Sequence, residues 1–410
     1  MRSNYKQLGN YICEVNIRDS NLKVELLLGV SIQKKFIPSI ANTIGTDMST
    51  YKIVKKNQFA YGPVTSRNGD KISIALLEDE QAIISQAYRS FEVKDKNELL
   101  PEYLMMWFRR PEFDRYARFM SHGSTREVFD WVEMCETELP VPHIDKQKEI
   151  VKEYNVLVDR INLNNQLIQK LEESARAIYR QWFVDFEFPD ENGKPYESTG
   201  GEMEFNEELE KDIPKGWNCG SIGDYSKVKS GFAFKSDWWK SEGIPVVKIG
   251  SINNNSIDYN SLGYVSSERI DKAKNYRVNK GDIVIAMTGA TIGKVGLVPE
   301  LNSVILVNQR VGMFDLGNEP LKRNSFLYLS LLSESVQNEI KNVGGDSAQA
   351  NIGNGQIQDI QLIIPNISVL GNFNRVVSSI IETILNKVKE NNIAENTKNL
   401  LLSKLATIKK

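Results

Sequence analysis

Residues 150–182 read IVKEYNVLVDRINLNNQLIQKLEESARAIYRQW. Alternating steps of four and three meet Ile150, Tyr154, Leu157, Ile161, Asn164, Ile168, Leu171, Ala175, Ile178 and Trp182. This is the apolar seam of a heptad helix with one polar position, Asn164. Displaced by 223 residues, the same steps meet Phe373, Val377, Ile380, Ile384, Lys387, Asn391, Ala394, Lys398, Leu401 and Leu405, and the seam runs on to Ile408. Two seams in one chain predict an intramolecular antiparallel coiled coil. A helix of about 38 residues is about 57 Å long at 1.5 Å per residue.

Working outward, the rest of the chain repeats at nearly the same displacement. EYLMMWFRRPEFDRYARFM, from Glu102, stands opposite SFLYLSLLSESVQNEIKNV. AIISQAYRSFEV (82–93) stands opposite VILVNQRVGMFDL (304–316), which puts Ser85-Gln86 against Asn308-Gln309. VKKNQFAY (54–61) matches VNKGDIVI (278–285), and the LPVP ending at Pro142 matches the LIIP ending at Pro365. Anchors in one order at nearly one spacing mean two diverged copies of one unit. Lys71–Leu77 and Asp282–Met287 read as strands. Glu102–Met120 and Asn324–Asn342 each read as one amphipathic helix. The expected fold is an α/β (α+β) two-repeat protein: two globular domains separated by a pair of long antiparallel coiled-coil helices, with internal pseudo-twofold symmetry. The expected segments are 1–145 (globular), 146–186 (helix), 187–213 (acidic linker), 214–366 (globular) and 367–410 (helix). The linker lacks apolar periodicity and reads as a partly ordered surface segment.

The 410 residues carry 51 basic and 53 acidic side chains, a formal charge of −2 that by itself speaks against nucleic acid. The distribution says otherwise. Residues 1–185 hold 26 of each sign, 186–213 hold 2 basic and 10 acidic, and 214–410 hold 23 basic and 17 acidic. One short acidic segment conceals a basic second half, so net charge does not decide the partner. No apolar run reaches the roughly 18–20 residues of a membrane span, and MRSNYKQLGN is not a signal peptide. Three isolated cysteines (Cys13, Cys135, Cys219) and two histidines (His122, His143) exclude a disulfide framework and a Cys/His zinc cluster. No metal site is expected, and the reducing cytoplasm is the expected compartment.

Catalytic motifs are scarce. TGATIGKVG (288–296) follows a strand, but Gly289 and Gly293 are too close for a P-loop, and Val295 stands where the magnesium-binding hydroxyl belongs. It reads as a Gly-rich turn between strands. Asp79, Glu92 and Lys94 can be fitted to a metal-dependent nuclease pattern, but the trio has no counterpart in the second copy. N-P-P-[FY], D-P-P-Y and G-x-G-x-x-G are absent. His122 and His143 read as loop or surface residues. No catalytic residue is expected.

Several loops carry side chains that read phosphates and base edges. In the first copy the candidates are Lys34 and Lys35; Thr65, Ser66, Arg67 and Asn68; and Ser124, Thr125 and Arg126. In the second they are Lys229, Ser230, Phe232 and Lys235; Thr288, Ala290, Thr291 and Lys294; Asn308 and Arg310; and Gln349 and Asn351. VTSRNG stands opposite TGATIG, and GSTRE opposite DSAQAN. One scaffold with two sets of loop side chains suits the reading of two different half-sites.

KSGFAF, GDIVIAMTGATIGKVG followed by NQR, FAYGPVTSRNGDKISIA, LPVP with KQKEIV, and ARAIYRQWFVDF together resemble the specificity subunit of type I restriction–modification enzymes, along the whole chain. The resemblance implies that each globular part is a target recognition domain for one half of a bipartite site in double-stranded DNA. It implies that the helices set the gap between half-sites and dock two modification (methyltransferase) subunits, with restriction (motor-nuclease) subunits joining them. S-adenosylmethionine then belongs to the modification partners, ATP and magnesium to the motor subunit, and no cofactor to this chain. Tyr179, Phe183 and Leu402, off the intramolecular seam, are expected to face partner helices. Two other readings remain at this stage: a non-catalytic coiled-coil repeat protein mediating protein–protein interaction, and the nuclease built on Glu92.

Overall fold

FAY (59–61), IVIA (283–286), ILV (305–307) and VGMF (311–314) are buried at every position. Continuous apolar runs of this kind belong to strands covered on both faces. The computed structural model describes residues 5–40, 45–66, 68–123, 126–301, 303–345 and 350–408. Packing divides the chain into two units: Met1–Arg160 with Ala394–Lys410, and Ile161–Ile393. The dividing points fall inside both long helices, so the expected limits near 145 and 366 mark helix starts rather than packing boundaries.

Unit 1 carries β1 (Tyr5–Gln7), β2 (Ile12–Val15), β3 (Leu27–Val30), β4 (Lys52–Lys55), β5 (Phe59–Tyr61), β6 (Ile74–Leu76), β7 (Gln81–Ile84), β8 (Arg89–Val93) and β9 (Glu138–Pro140). Its helices are α1 (Pro101–Phe108), α2 (Pro111–Phe119), α3 (Trp131–Glu136) and the start of α4 (Ile144–Phe183). One sheet has the order β2-β8-β5-β6. A second contains β4-β7-β3, with Ile17–Arg18 and Phe36–Pro38 at its edges. β3 and β7 run parallel, Leu28 beside Ile84, and β1 pairs with β9.

Unit 2 repeats the order with β10 (Asn218–Ser221), β11 (Val228–Ser230), β12 (Ile244–Val247), β13 (Arg277–Val278), β14 (Ile283–Ala286), β15 (Val295–Leu297), β16 (Ile305–Val307), β17 (Val311–Phe314) and β18 (Gln361–Ile364). Its helices are α5 (Asn324–Leu331), α6 (Glu334–Gly344), α7 (Asn354–Gln358) and α8 (Ile367–Lys404). One sheet contains β11-β17-β14-β15 and the other β12-β16-β13. The parallel pair recurs, with Val247 beside Val307, and β10 pairs with β18. α3 and α7, and α4 and α8, begin 223 residues apart.

The long helices have 40 and 38 residues. Their seam residues are buried or half-buried throughout: Ile150, Ile384 and Leu405 are buried, and Val377 is 0% exposed, while Leu157, Ile161, Ile168, Leu171, Ile178, Ile380 and Leu401 are half-buried. Within unit 2 the helices run antiparallel, since Asn164 meets Asn391 (2.9 Å) while Phe183 meets Phe373 (ring centroids 4.6 Å). Within unit 1, Ile150 and Tyr154 share a core with Leu402 and Leu405.

Three expectations change. The stretches expected as single helices are helix pairs. Pro111 interrupts the first, with Arg110 extended before it (ψ 135°). Ser333 interrupts the second, its hydroxyl accepting the Val336 N–H as an N-cap. The acidic linker stays on the surface but is ordered: Met203–Asn206 and Lys211–Pro214 form a hairpin, Phe188 and Ile213 enter the unit 2 core beside Trp217, and most of the residues between them are exposed. Its aromatic residues are spaced irregularly, so periodicity does not reveal them. Tyr179, Phe183 and Leu402 turn inward. Phe183 packs on Trp217 and Phe326, Tyr179 reaches the Ser330 hydroxyl (3.0 Å), and Leu402 lies in the unit 1 core.

Candidate nucleic-acid interface

In unit 1 the loop after β5 is joined to the loop before α3. Val64 bridges Val128, the Thr65 N–H donates to the Glu127 carbonyl (2.9 Å), and His122 also bridges Val128. In unit 2 the loop after β14 is joined to the loop before α7 in the same way. Thr288 bridges Asn351, and the Gly289 N–H donates to the Ala350 carbonyl (2.8 Å). The backbone joint recurs at a displacement of 223 residues on one side and 224 on the other, while its side chains differ. A second turn also recurs. The Ser85 hydroxyl accepts from the Ala87 N–H in unit 1, and the Asn308 side chain accepts from the Arg310 N–H in unit 2. Short polar side chains favour such turns by satisfying a backbone donor two residues on.

These loops border a concavity of about 620 Å³ in unit 1, which brings together Ser66, Asn68 and Arg126 with Ile32, Ser73 and Tyr88. The Tyr88 hydroxyl accepts from the Val30 N–H, so the ring is anchored at the end of β3. Ser66 and Arg126 are exposed, as is Lys35 on the turn beside Ile32. Two candidates are not available to a ligand. Lys34 is 7% exposed: its Nζ reaches Asp114 Oδ1 (2.5 Å) and the Ile72 carbonyl (2.7 Å). Burial lowers the Lys34 pKa below the ordinary ammonium value, against the pull of Asp114. Thr65 is 1% exposed, its hydroxyl held between Ser121 and the Glu127 carbonyl, and Arg118 pairs with Glu127 beside it. Both side chains hold loops in place. Arg67, Ser124 and Thr125 lie outside the described residues.

In unit 2 the end of β11 lies against the turn after β16. The Gly231 N–H donates to Val311, and the Phe232 N–H to Val307. A Cβ on Gly231 would sit 2.4 Å from the Val307 oxygen, so this approach requires glycine. The turn brings Phe232 to Asn308, and the Ser230 hydroxyl donates to Asn354 Oδ1 (3.0 Å). Phe232 is half-buried among Phe234, Trp238 and Tyr276, which makes it a packing residue of this corner. Lys235, Ala290, Lys294, Arg310 and Asn351 are exposed. Lys229 is exposed, with its Nζ on the Asn275 carbonyl, and the Thr291 hydroxyl donates to the Thr288 carbonyl. TGATIGKVG forms a single turn, Gly289–Thr291, between β14 and β15, with Gly289 and Gly293 at φ +69° and +81°. Gln349 lies outside the described residues.

The sequence matches the family described as type I restriction modification DNA specificity domain over residues 30–173 and 214–400. The chain belongs to this family. It is a type I specificity subunit, and recognising DNA is its function. It is 24% identical over 325 residues to the type I restriction enzyme MjaIX specificity subunit of Methanocaldococcus jannaschii, covering 78% of this chain and 71% of that one. It is 22% identical over 429 residues to the HindI specificity subunit of Haemophilus influenzae, covering 92% of each. The crystal structure of a type I restriction–modification S subunit from M. genitalium shares the fold at TM-score 0.56 and 16% identity, covering 99% of this chain and 96% of that one.

The specificity subunit does not assemble the nuclease trio. Glu92 accepts from the Gln58 side-chain amide, Lys94 donates to the carbonyls of Gly9 and Asn10, and Asp79 lies in the turn between β6 and β7. Among the described residues, no three His, Cys, Asp or Glu side chains gather as metal ligands, and no helix is long and apolar enough to cross a membrane. His122 and His143 are exposed. The sequence reading missed Tyr88, Ile32 and Asn354. The match of Ser85-Gln86 to Asn308-Gln309 was the available signal for Tyr88, because it marks the turn that Tyr88 follows.

Proposed function

We propose that each unit of this specificity subunit reads one half of a bipartite duplex target, through the joined loops around Ser66, Asn68 and Arg126 and around Thr288, Arg310 and Asn351. The observation that carries this reading is the backbone joint built twice from different side chains. Exposed Lys35, Arg126, Lys235, Lys294 and Arg310 supply salt-dependent phosphate affinity, and the polar loop side chains supply base preference. The chain itself is non-catalytic and works in the cytoplasm. It presents DNA to two methyltransferase partners that bind S-adenosylmethionine and modify adenine, and to motor-nuclease partners that use ATP and magnesium. A target base must leave the stack before methylation, so holding the duplex in register is this chain's contribution. Methylome sequencing with and without the gene tests the reading. Loss of methylation at one bipartite adenine motif is expected, and an unchanged methylome under demonstrated expression overturns it.

A further inference from the structure

Ser73 lines the concavity of about 620 Å³ in unit 1 and is only 6% exposed. Among the described residues its hydroxyl has no hydrogen-bond partner. Buried hydroxyls ordinarily find one, so a hydroxyl left open in a recess is available to a ligand. Gly62 keeps it open. The Gly62 N–H donates to the Ser73 carbonyl (2.9 Å), and a Cβ at position 62 would stand 2.5 Å from the Ser73 Oγ and 3.6 Å from the Tyr88 ring. Tyr88 is held at both ends: its hydroxyl accepts from the Val30 N–H (3.4 Å) and its carbonyl from the Lys52 ammonium (2.7 Å). Half-buried Tyr88 and Ile32 give the recess an aromatic and an aliphatic wall, and exposed Arg126 puts a cation at its rim.

The equivalent place in unit 2 is built differently. There the Ala286 N–H donates to the Lys294 carbonyl (2.8 Å), as Gly62 does to Ser73. Ala286 is 0% exposed and Lys294 is exposed. Unit 2 presents a projecting cation where unit 1 presents a recessed hydroxyl.

Projection and recess suit different forms of DNA. Base edges of a duplex lie in a major groove about 8.5 Å deep, so a side chain must project to reach them. A hydroxyl on the floor of a recess does not project. A base that has left the stack can reach it instead. Sites that hold such bases combine polar groups for the base edge with aromatic or apolar faces for its plane. The recess lies within the range of about 300–1,000 Å³ usual for small-ligand sites, which leaves room for one nucleotide.

We propose that the unit 1 concavity captures one extrahelical nucleotide of its half-site. Ser73 meets the base edge, Tyr88 and Ile32 its plane, and Arg126 its phosphate. This nucleotide is distinct from the adenine that a methyltransferase partner takes. The inference rests on the reading of unit 1 as a half-site reader, and adds that part of this half is read outside the stack.

The full chain in complex with its methyltransferase partners is titrated by anisotropy with duplexes carrying the motif that methylome sequencing identifies. An abasic residue is placed in turn opposite each base of the unit 1 half-site, which removes the pairing that capture has to break. At one position besides the methylated adenine, affinity is expected to rise about tenfold or more. Ala87→Trp, at an exposed position lining the concavity, is expected to remove that gain. Ser73→Ala, which deletes only the hydroxyl, is expected to reduce it by about fivefold. Absence of any such position, or the same gain in the parent and in both variants, overturns the inference. Absence of preference for the motif over a scrambled duplex overturns the half-site reading, and the inference with it.

Discussion

Lys34 sits at φ +63° in the turn before Phe36, and its ammonium reaches Asp114 from 80 residues away. The Ile72 N–H donates to the same carboxylate, so one buried pair holds the β3 turn, the strand leading to β6 and helix α2. Removing one partner leaves the other charged and buried, which costs several kcal/mol. Lys34→Met is expected to lower stability by about 3 kcal/mol, read by denaturant unfolding. Asp282 answers to the same physics with the opposite titration. Burial raises its carboxyl pKa to about 6, although the Asn279 N–H donates to it. Its folded value lies above the unfolded one, so its contribution to stability is full at low pH and is lost as pH rises through about 6. Asp282→Asn is expected to match the parent near pH 4 and to exceed it increasingly toward pH 7. The gap is bounded at about 3 kcal/mol, because each pKa unit is worth about 1.4 kcal/mol. Thermal melts across that range check it.

At the scale of elements, the polar layer of the helix pair is the informative feature. Asn164 is 2% exposed and donates to Asn391, which in turn donates to Asn165 (2.8 Å). A buried polar layer in a heptad seam trades stability for a single register. The double variant Asn164→Leu/Asn391→Leu is expected to raise the melting temperature and to loosen the register. Cysteine crosslinking between the two helices reads the second effect as more than one productive pairing. The heptad steps identified Asn164 and Asn391 as interruptions, because helix periodicity is local. They did not reveal that the two side chains meet, which depends on the antiparallel alignment. Residue type alone marks Pro111 and Ser333 as places where a helix can break, since proline lacks an N–H and serine caps. Amphipathic spacing continues across both breaks and concealed them.

At the scale of the whole molecule, two copies of one scaffold carry different loop sets. Transplanting the Thr65–Asn68 loop together with its partner loop around Arg126 from a subunit of different specificity is expected to change one half of the methylated motif. The other half stays constant, and a change in both halves counts against two independent readers. Methylome sequencing of the exchange strain reads either result. The copy number and the two seams were legible in the sequence alone, because each rests on local periodicity and a constant displacement. Tertiary structure alone decided which loop side chains are available. Lys34 and Thr65 look like surface residues of polar loops, yet partners 80 and 56 residues away bury them. Tyr88 and Ile32 carry no signal that sets them among the candidate readers, yet they meet Ser66 and Arg126 in one concavity. Burial is a property of contacts between distant segments, and no pattern within a loop records it.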